Sequence, residues 1–64
     1  MAKGYYNELI KILREHGFEY VRQAKGSHER WGNADGVEVT VPPNSGSRHT
    51  ANAVLKQAGI DRKL

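Results

Sequence analysis

Two apolar stripes of helical period, one near each end of the chain, leave it few ways to fold. Tyr6, Leu9, Ile10 and Leu13 stand at i, i+3, i+4 and i+7 within the segment Tyr5 to His16. Ala51, Val54, Leu55 and Ala58 repeat those offsets between Arg48 and Ala58. Such spacing lines one face of an α-helix, so each segment is expected to bury one stripe against something else. Gly17 and Gly59 follow directly, where a left-handed residue commonly ends a helix. Ser47 is the expected N-cap of the second helix, and Ile60 the apolar contact beyond its end.

Between the stripes the period changes from helical to two. Phe18 to Gln23 is rich in aromatic and β-branched residues and reads as a strand, although alternation alone leaves open whether Tyr20 or Val21 faces inward. Lys25-Gly26 supplies a turn, and a second strand is expected over Ser27 to Trp31. Gly32-Asn33-Ala34-Asp35-Gly36 is dense in turn formers. Val37-Glu38-Val39-Thr40-Val41 alternates cleanly, with the valines on one face and Glu38 and Thr40 on the other. Pro42-Pro43 ends that strand, because proline cannot donate to a ladder. Asn44-Ser45-Gly46-Ser47 reads as loop, and Asp61 to Leu64 as a frayed tail.

The order α-β-β-β-α predicts an α+β fold, with three short strands in an antiparallel meander. Two helices with one apolar stripe each most economically cover the same face of that sheet. Val37, Val39 and Val41 would then look toward the helices, and the opposite face toward solvent.

At 64 residues the chain has room for one domain, spanning 1–64. It has no cysteine, which excludes disulfide staples and thiolate chemistry. No apolar run approaches the ~20 residues of a membrane span and no signal-peptide pattern opens the chain, so a cytoplasmic location is expected. A net charge of +3 and a pI near 9.5 are compatible with a polyanionic partner and equally ordinary for a small domain.

Period two also sorts the residues that carry chemistry. If Trp31 turns inward with the valines, Glu29 shares its side, while His28 and Arg30 point the other way. Arg22 and Lys25 approach from the first strand and the turn. An imidazole among cations suits cleavage of RNA. The ribose 2′-hydroxyl is the nucleophile, so the protein needs a proton donor or acceptor and positive charge for the phosphorane. An imidazole, with an unperturbed pKa of about 6.5, serves either role near neutrality. No metal or other cofactor is required in principle. The plainer reading is that a lone histidine on a solvent-facing strand is only surface.

The other candidates are weaker. His16 is a natural dipole partner at a helix end, and His49 defaults to an exposed residue. The three histidines lack metal-ligand spacing, and no Gly-rich nucleotide loop is present. Arg48, opening the second helix, would reinforce the attraction of free N–H groups for phosphate, or else is simply solvated. A three-strand stretch separates the helices, which argues against a helix-turn-helix reader of DNA. A non-catalytic module that binds structured RNA by shape remains the alternative to a nuclease.

Short pieces in a fixed order carry a resemblance over nearly the whole chain. They are Gly17-Phe18 after the leading helix, Val21-Arg22-Gln23, Gly26-Ser27-His28, Val39-Thr40-Val41-Pro42 and the closing Ala53-Val54-Leu55-Lys56-Gln57-Ala58-Gly59-Ile60. In these the chain resembles the HicA family of toxins, small mRNA interferases of bacterial toxin–antitoxin systems. The resemblance implies a fold like that of double-stranded RNA-binding domains, with His28 of the Gly-Ser-His motif as the catalytic residue. It also implies ribosome-independent mRNA cleavage, growth arrest and neutralisation by a HicB-like antitoxin covering the active site. Arg22, Lys25, Ser27, Arg30 and Arg48 are the expected RNA-binding residues. Neither a metal nor a small-molecule cofactor is expected. Many relatives carry a second histidine directly after the first, whereas this chain has Glu29, a carboxylate partner only if it reaches the open side.

Overall fold

The computed structural model describes residues 4–42 and 47–64. Helix α1 covers Tyr6–Glu15, strands β1, β2 and β3 cover Glu19–Gln23, Glu29–Gly32 and Glu38–Val41, and helix α2 covers Arg48–Gln57. The strands form one antiparallel sheet in the order β1-β2-β3. The α-β-β-β-α order and the α+β class expected from the sequence are those observed, consistent with the double-stranded RNA-binding-domain architecture.

Both helices stop as their glycines dictate. Beyond α1, the Gly17 N–H donates to the Arg14 carbonyl at 3.0 Å and the Phe18 N–H to the Leu13 carbonyl at 2.9 Å. Beyond α2, Gly59 donates to Lys56 and Ile60 to Leu55, both at 3.0 Å. This paired closure requires a left-handed residue after the helix, and Gly17 and Gly59 supply it at φ 86° and 77°. The chain is thereby folded back, and the next residue, Phe18 or Ile60, enters the core. At the other end of α2 the Ser47 hydroxyl accepts from the His49 N–H at 3.1 Å, as an N-cap does.

The core joins Leu9, Ile12 and Leu13 of α1, Trp31, Val39 and Val41 of the sheet, and Ala51, Val54 and Leu55 of α2. Each fully buried side chain of leucine size contributes about 1.5–3 kcal/mol, so these contacts hold both helices on one sheet face. The α1 stripe is broader than its four expected positions. Ile12 is buried, whereas Tyr6 and Ile10 are only partly so.

Four local expectations are corrected. Strand β2 begins at Glu29 rather than Ser27, because Ser27 and His28 are consumed by the turn: the His28 N–H donates to the Lys25 carbonyl, and the His28 carbonyl accepts from Ala24. Val37 is not a third inward valine. It lies before β3, 37% exposed, where its N–H donates to the Asn33 side chain and its carbonyl accepts from the Asn33 N–H. Those bonds close the β2–β3 hairpin around Ala34-Asp35-Gly36. Phe18 precedes β1 and packs in the core rather than on the strand. Finally, the C-terminal tail is tied down: the Leu64 N–H donates to Asn52 at 2.7 Å, and Arg62 reaches Glu15 at 3.5 Å. Of the expected loop before α2, Pro43 and Asn44-Ser45-Gly46 lie outside the described residues.

Strand β1 resolves the ambiguity between Tyr20 and Val21 by a bulge. Tyr20 pairs with Trp31 and Arg22 with Arg30, so the register slips at Val21. One extra residue turns the remainder of the strand by half a period. Tyr20 therefore sits with Trp31 on the helix side, their rings edge to face with centroids 6.1 Å apart. Val21 lies over Gly32 beside Glu38, and Arg22 stands across from Arg30 on the open face.

Candidate active site

The β1–β2 hairpin is closed by a turn in which Gly26 alone has positive φ, at 68°. Positive φ at the first central position matches the right-handed twist of the two strands, and glycine adopts it without strain. The turn presents Lys25, Ser27 and His28, all exposed, at the end of the sheet. The His28 imidazole leans back over the turn: its Nδ1 would lie 3.9 Å from a Cβ placed on Gly26.

The cations around it are not equivalent. Arg30 is held on the open face by its neighbours: Nε and Nη2 donate to Glu38 Oε1 at 3.2 and 2.8 Å, and Nη1 donates to Thr40 Oγ1 at 2.8 Å. Three of the five guanidinium N–H donors are thus engaged, which leaves two for a ligand. The ion pair also offsets the repulsion expected of Arg22 directly opposite Arg30. Among the described residues Arg22 and Lys25 have no ion pair, and both lie on the hairpin that carries His28. Arg48 is exposed at the first position of α2, on a different element from the other candidates. The structure therefore places His28, Arg22, Lys25, Ser27 and Arg30 on one hairpin and Arg48 on another element.

Glu29 takes a structural position. Its Oε1 accepts from the Tyr6 hydroxyl at 2.8 Å and from Trp31 Nε1 at 2.9 Å. The carboxylate faces the helices, as alternation with Trp31 requires, and does not turn to the open side. Burial, reinforced by the hydrogen bond to Glu29, pushes the Tyr6 phenol up to about 12. Sequence reasoning misses Tyr6 as a partner, because 23 residues separate it from Glu29. His16 behaves as a helix-end partner: its Nδ1–H donates to the Ile12 carbonyl at 2.9 Å.

A family profile describing the HicA toxin of bacterial toxin–antitoxin systems matches residues 6–60, from the first residue of α1 to the residue that closes α2. The chain belongs to the HicA toxin family. The match includes the whole hairpin and both helices that brace it, so the toxin role attaches to the unit that carries His28. Searches of curated proteins and of solved structures return no match. Among the described residues no group of three or more His, Cys, Asp or Glu is arranged to hold a metal ion. No helix among them is long and apolar enough to cross a membrane.

Proposed function

We propose that this HicA toxin is a metal-independent endoribonuclease that cleaves mRNA, with His28 in general acid–base catalysis. The observation that carries the reading is the exposed His28 imidazole on the same hairpin as the uncompensated Arg22 and Lys25. The ribose 2′-oxygen attacks phosphorus as its proton leaves, the bond to the 5′-oxygen breaks, and that oxygen is protonated. The products are a 2′,3′-cyclic phosphate and a 5′-hydroxyl. His28 serves as acceptor of the first proton or donor of the second. Arg22 and Lys25 hold the phosphate, the two unengaged donors of Arg30 and the Ser27 hydroxyl add hydrogen bonds, and Arg48 contacts RNA further along. Glu29 is occupied by Tyr6 and Trp31, so the second proton-transfer partner is a lysine such as Lys25, water or the substrate itself.

The antitoxin partner follows from the family. A HicB-like protein that covers the hairpin would silence the toxin by excluding RNA, and the cationic turn favours an acidic contact surface on that protein. The test is cleavage of RNA by purified protein in EDTA, wild type against His28→Ala. Cleavage by the wild type that disappears in a folded variant is the expected result. Equal cleavage by both removes His28 from the mechanism. Binding without cleavage by both transfers the function to a non-catalytic RNA-binding module.

A further inference from the structure

Strand β1 carries two adjacent apolar residues at the surface, Tyr20 at 50% and Val21 at 48% exposure, on an edge of the sheet. The assigned chemistry uses neither of them. Tyr20 lines a cleft of about 490 Å³ together with Arg14, Phe18, Glu19 and Trp31. Its ring stands at 81° to the buried Trp31 ring, and the Arg14 guanidinium lies 5.4 Å from the centre of Trp31. The phenol ring is thus braced from within and keeps exposed ring surface in the cleft. A braced aromatic stacks a planar ligand at low cost in rotamer entropy.

We infer that Tyr20 is a stacking platform for one base of the RNA substrate, with Arg14 beside it, and so positions the strand for cleavage at His28. The inference rests on the nuclease reading. Three features favour a base as the occupant. The lining pairs an aromatic face with a guanidinium, the combination that holds single-stranded nucleic acid. Glu19 repels phosphate and accepts N–H groups, which favours a base over the backbone within the cleft. The spacing also fits. Tyr20 pairs with Trp31, three residues along β2 from His28, about 10 Å of strand, and because β1 is an edge an RNA strand passing around it meets Tyr20 on the helix side and Arg22 on the open face. An added protein strand suits this edge poorly, because the bulge at Val21 interrupts its ladder in the middle of five residues.

The probe is a 2′-O-methyl hexanucleotide of mixed sequence, which lacks the nucleophile and so reports binding without cleavage. Trp31, the single tryptophan, supplies the fluorescence signal next to Tyr20. Tyr20→Leu is expected to weaken binding roughly 5- to 150-fold, the range a base–aromatic stack spans on substitution, while Tyr20→Phe stays near wild type. On a cleavable RNA, at a temperature where both proteins are folded, Tyr20→Leu should raise KM and leave kcat near wild type, its midpoint lowered by roughly 2–12 °C through loss of the edge-to-face contact with Trp31. If Tyr20→Leu fails to fold, the wild-type protein is crosslinked to the same hexanucleotide carrying 4-thiouridine. Attachment at Tyr20 is expected, and attachment only elsewhere overturns the inference. Equal affinity of wild type and Tyr20→Leu overturns it while leaving the nuclease reading intact. Loss of antitoxin binding with RNA affinity retained also overturns it, by giving the cleft to a protein. No RNA binding by the wild type overturns both readings at once.

Discussion

Glu29 occupies the position after the motif histidine, where a second catalytic group would be sought, yet its carboxylate is committed to two donors on the helix side. Glu29→Ala removes one acceptor and leaves the Tyr6 hydroxyl and Trp31 Nε1 without it. A hydrogen bond to a charged group is worth about 1.5–3 kcal/mol. Both bonds are only partly buried, so water recovers some of that loss, and about 2–4 kcal/mol is expected for the pair. In a domain of this size each kcal/mol moves the midpoint by about 4–8 °C, so the variant should melt roughly 10–30 °C lower. Glu29→Gln keeps an acceptor oxygen without the charge and should cost about 1 kcal/mol. The assay is thermal unfolding by circular dichroism, paired with single-turnover RNA cleavage at a temperature where both proteins are folded. Glu29→Gln is expected to melt lower and cleave at close to the wild-type rate. A variant with the wild-type midpoint and abolished cleavage would refute the reasoning and make Glu29 a proton-transfer group.

The Tyr6 phenol, raised from 10.0 to about 12, favours the folded state most while it is protonated. Its contribution is therefore complete below pH 10 and lost as pH rises through about 12, and the fall in midpoint over that window should be smaller in Tyr6→Phe. Arg22→Gln and Lys25→Gln should each reduce the slope of log affinity against log salt by about 0.7 for single-stranded RNA, measured by anisotropy. Arg30→Gln should change that slope less, because Glu38 already neutralises the guanidinium, and should cost stability by at most about 1 kcal/mol. Gly26→Ala forces a side chain into positive φ and should destabilise the hairpin by about 1–2 kcal/mol, read as a midpoint lowered by roughly 4–16 °C.

The parts of this fold that are legible in the chain itself are those set by local rules. Helical stripes ending at Gly17 and Gly59, the Ser47 cap and the turn at Gly26 depend on residues within a few positions of one another, and the structure has each of them. Alternation also carries Glu29 to the side of Trp31 and Arg30 to that of Thr40. It fails where an element's register is decided by its partner. Val37 looks like the third member of an inward row, but the Asn33 side chain takes its N–H into the hairpin closure before the strand begins. Tyr20 and Val21 cannot be ordered from the chain alone, since a bulge is a relation between two strands. The tail reads as frayed because its tie, Leu64 to Asn52, is a contact between a terminus and a helix side chain.

The same division explains how a domain this small can hold the candidate hairpin steady. The site side chains project from the open face and the turn, where burial does little to fix them. The strand that delivers them is fixed from the other face, by Trp31 in the core and by Glu29 tied to both Trp31 and α1. A histidine in place of Glu29 would offer a second imidazole but would turn, by the same alternation, toward Tyr6 rather than the substrate. Glu29→His should therefore lower the thermal midpoint without raising the cleavage rate. A faster enzyme with that substitution would show that the inward face of β2 opens to substrate, against the packing that holds Trp31 at 2% exposure.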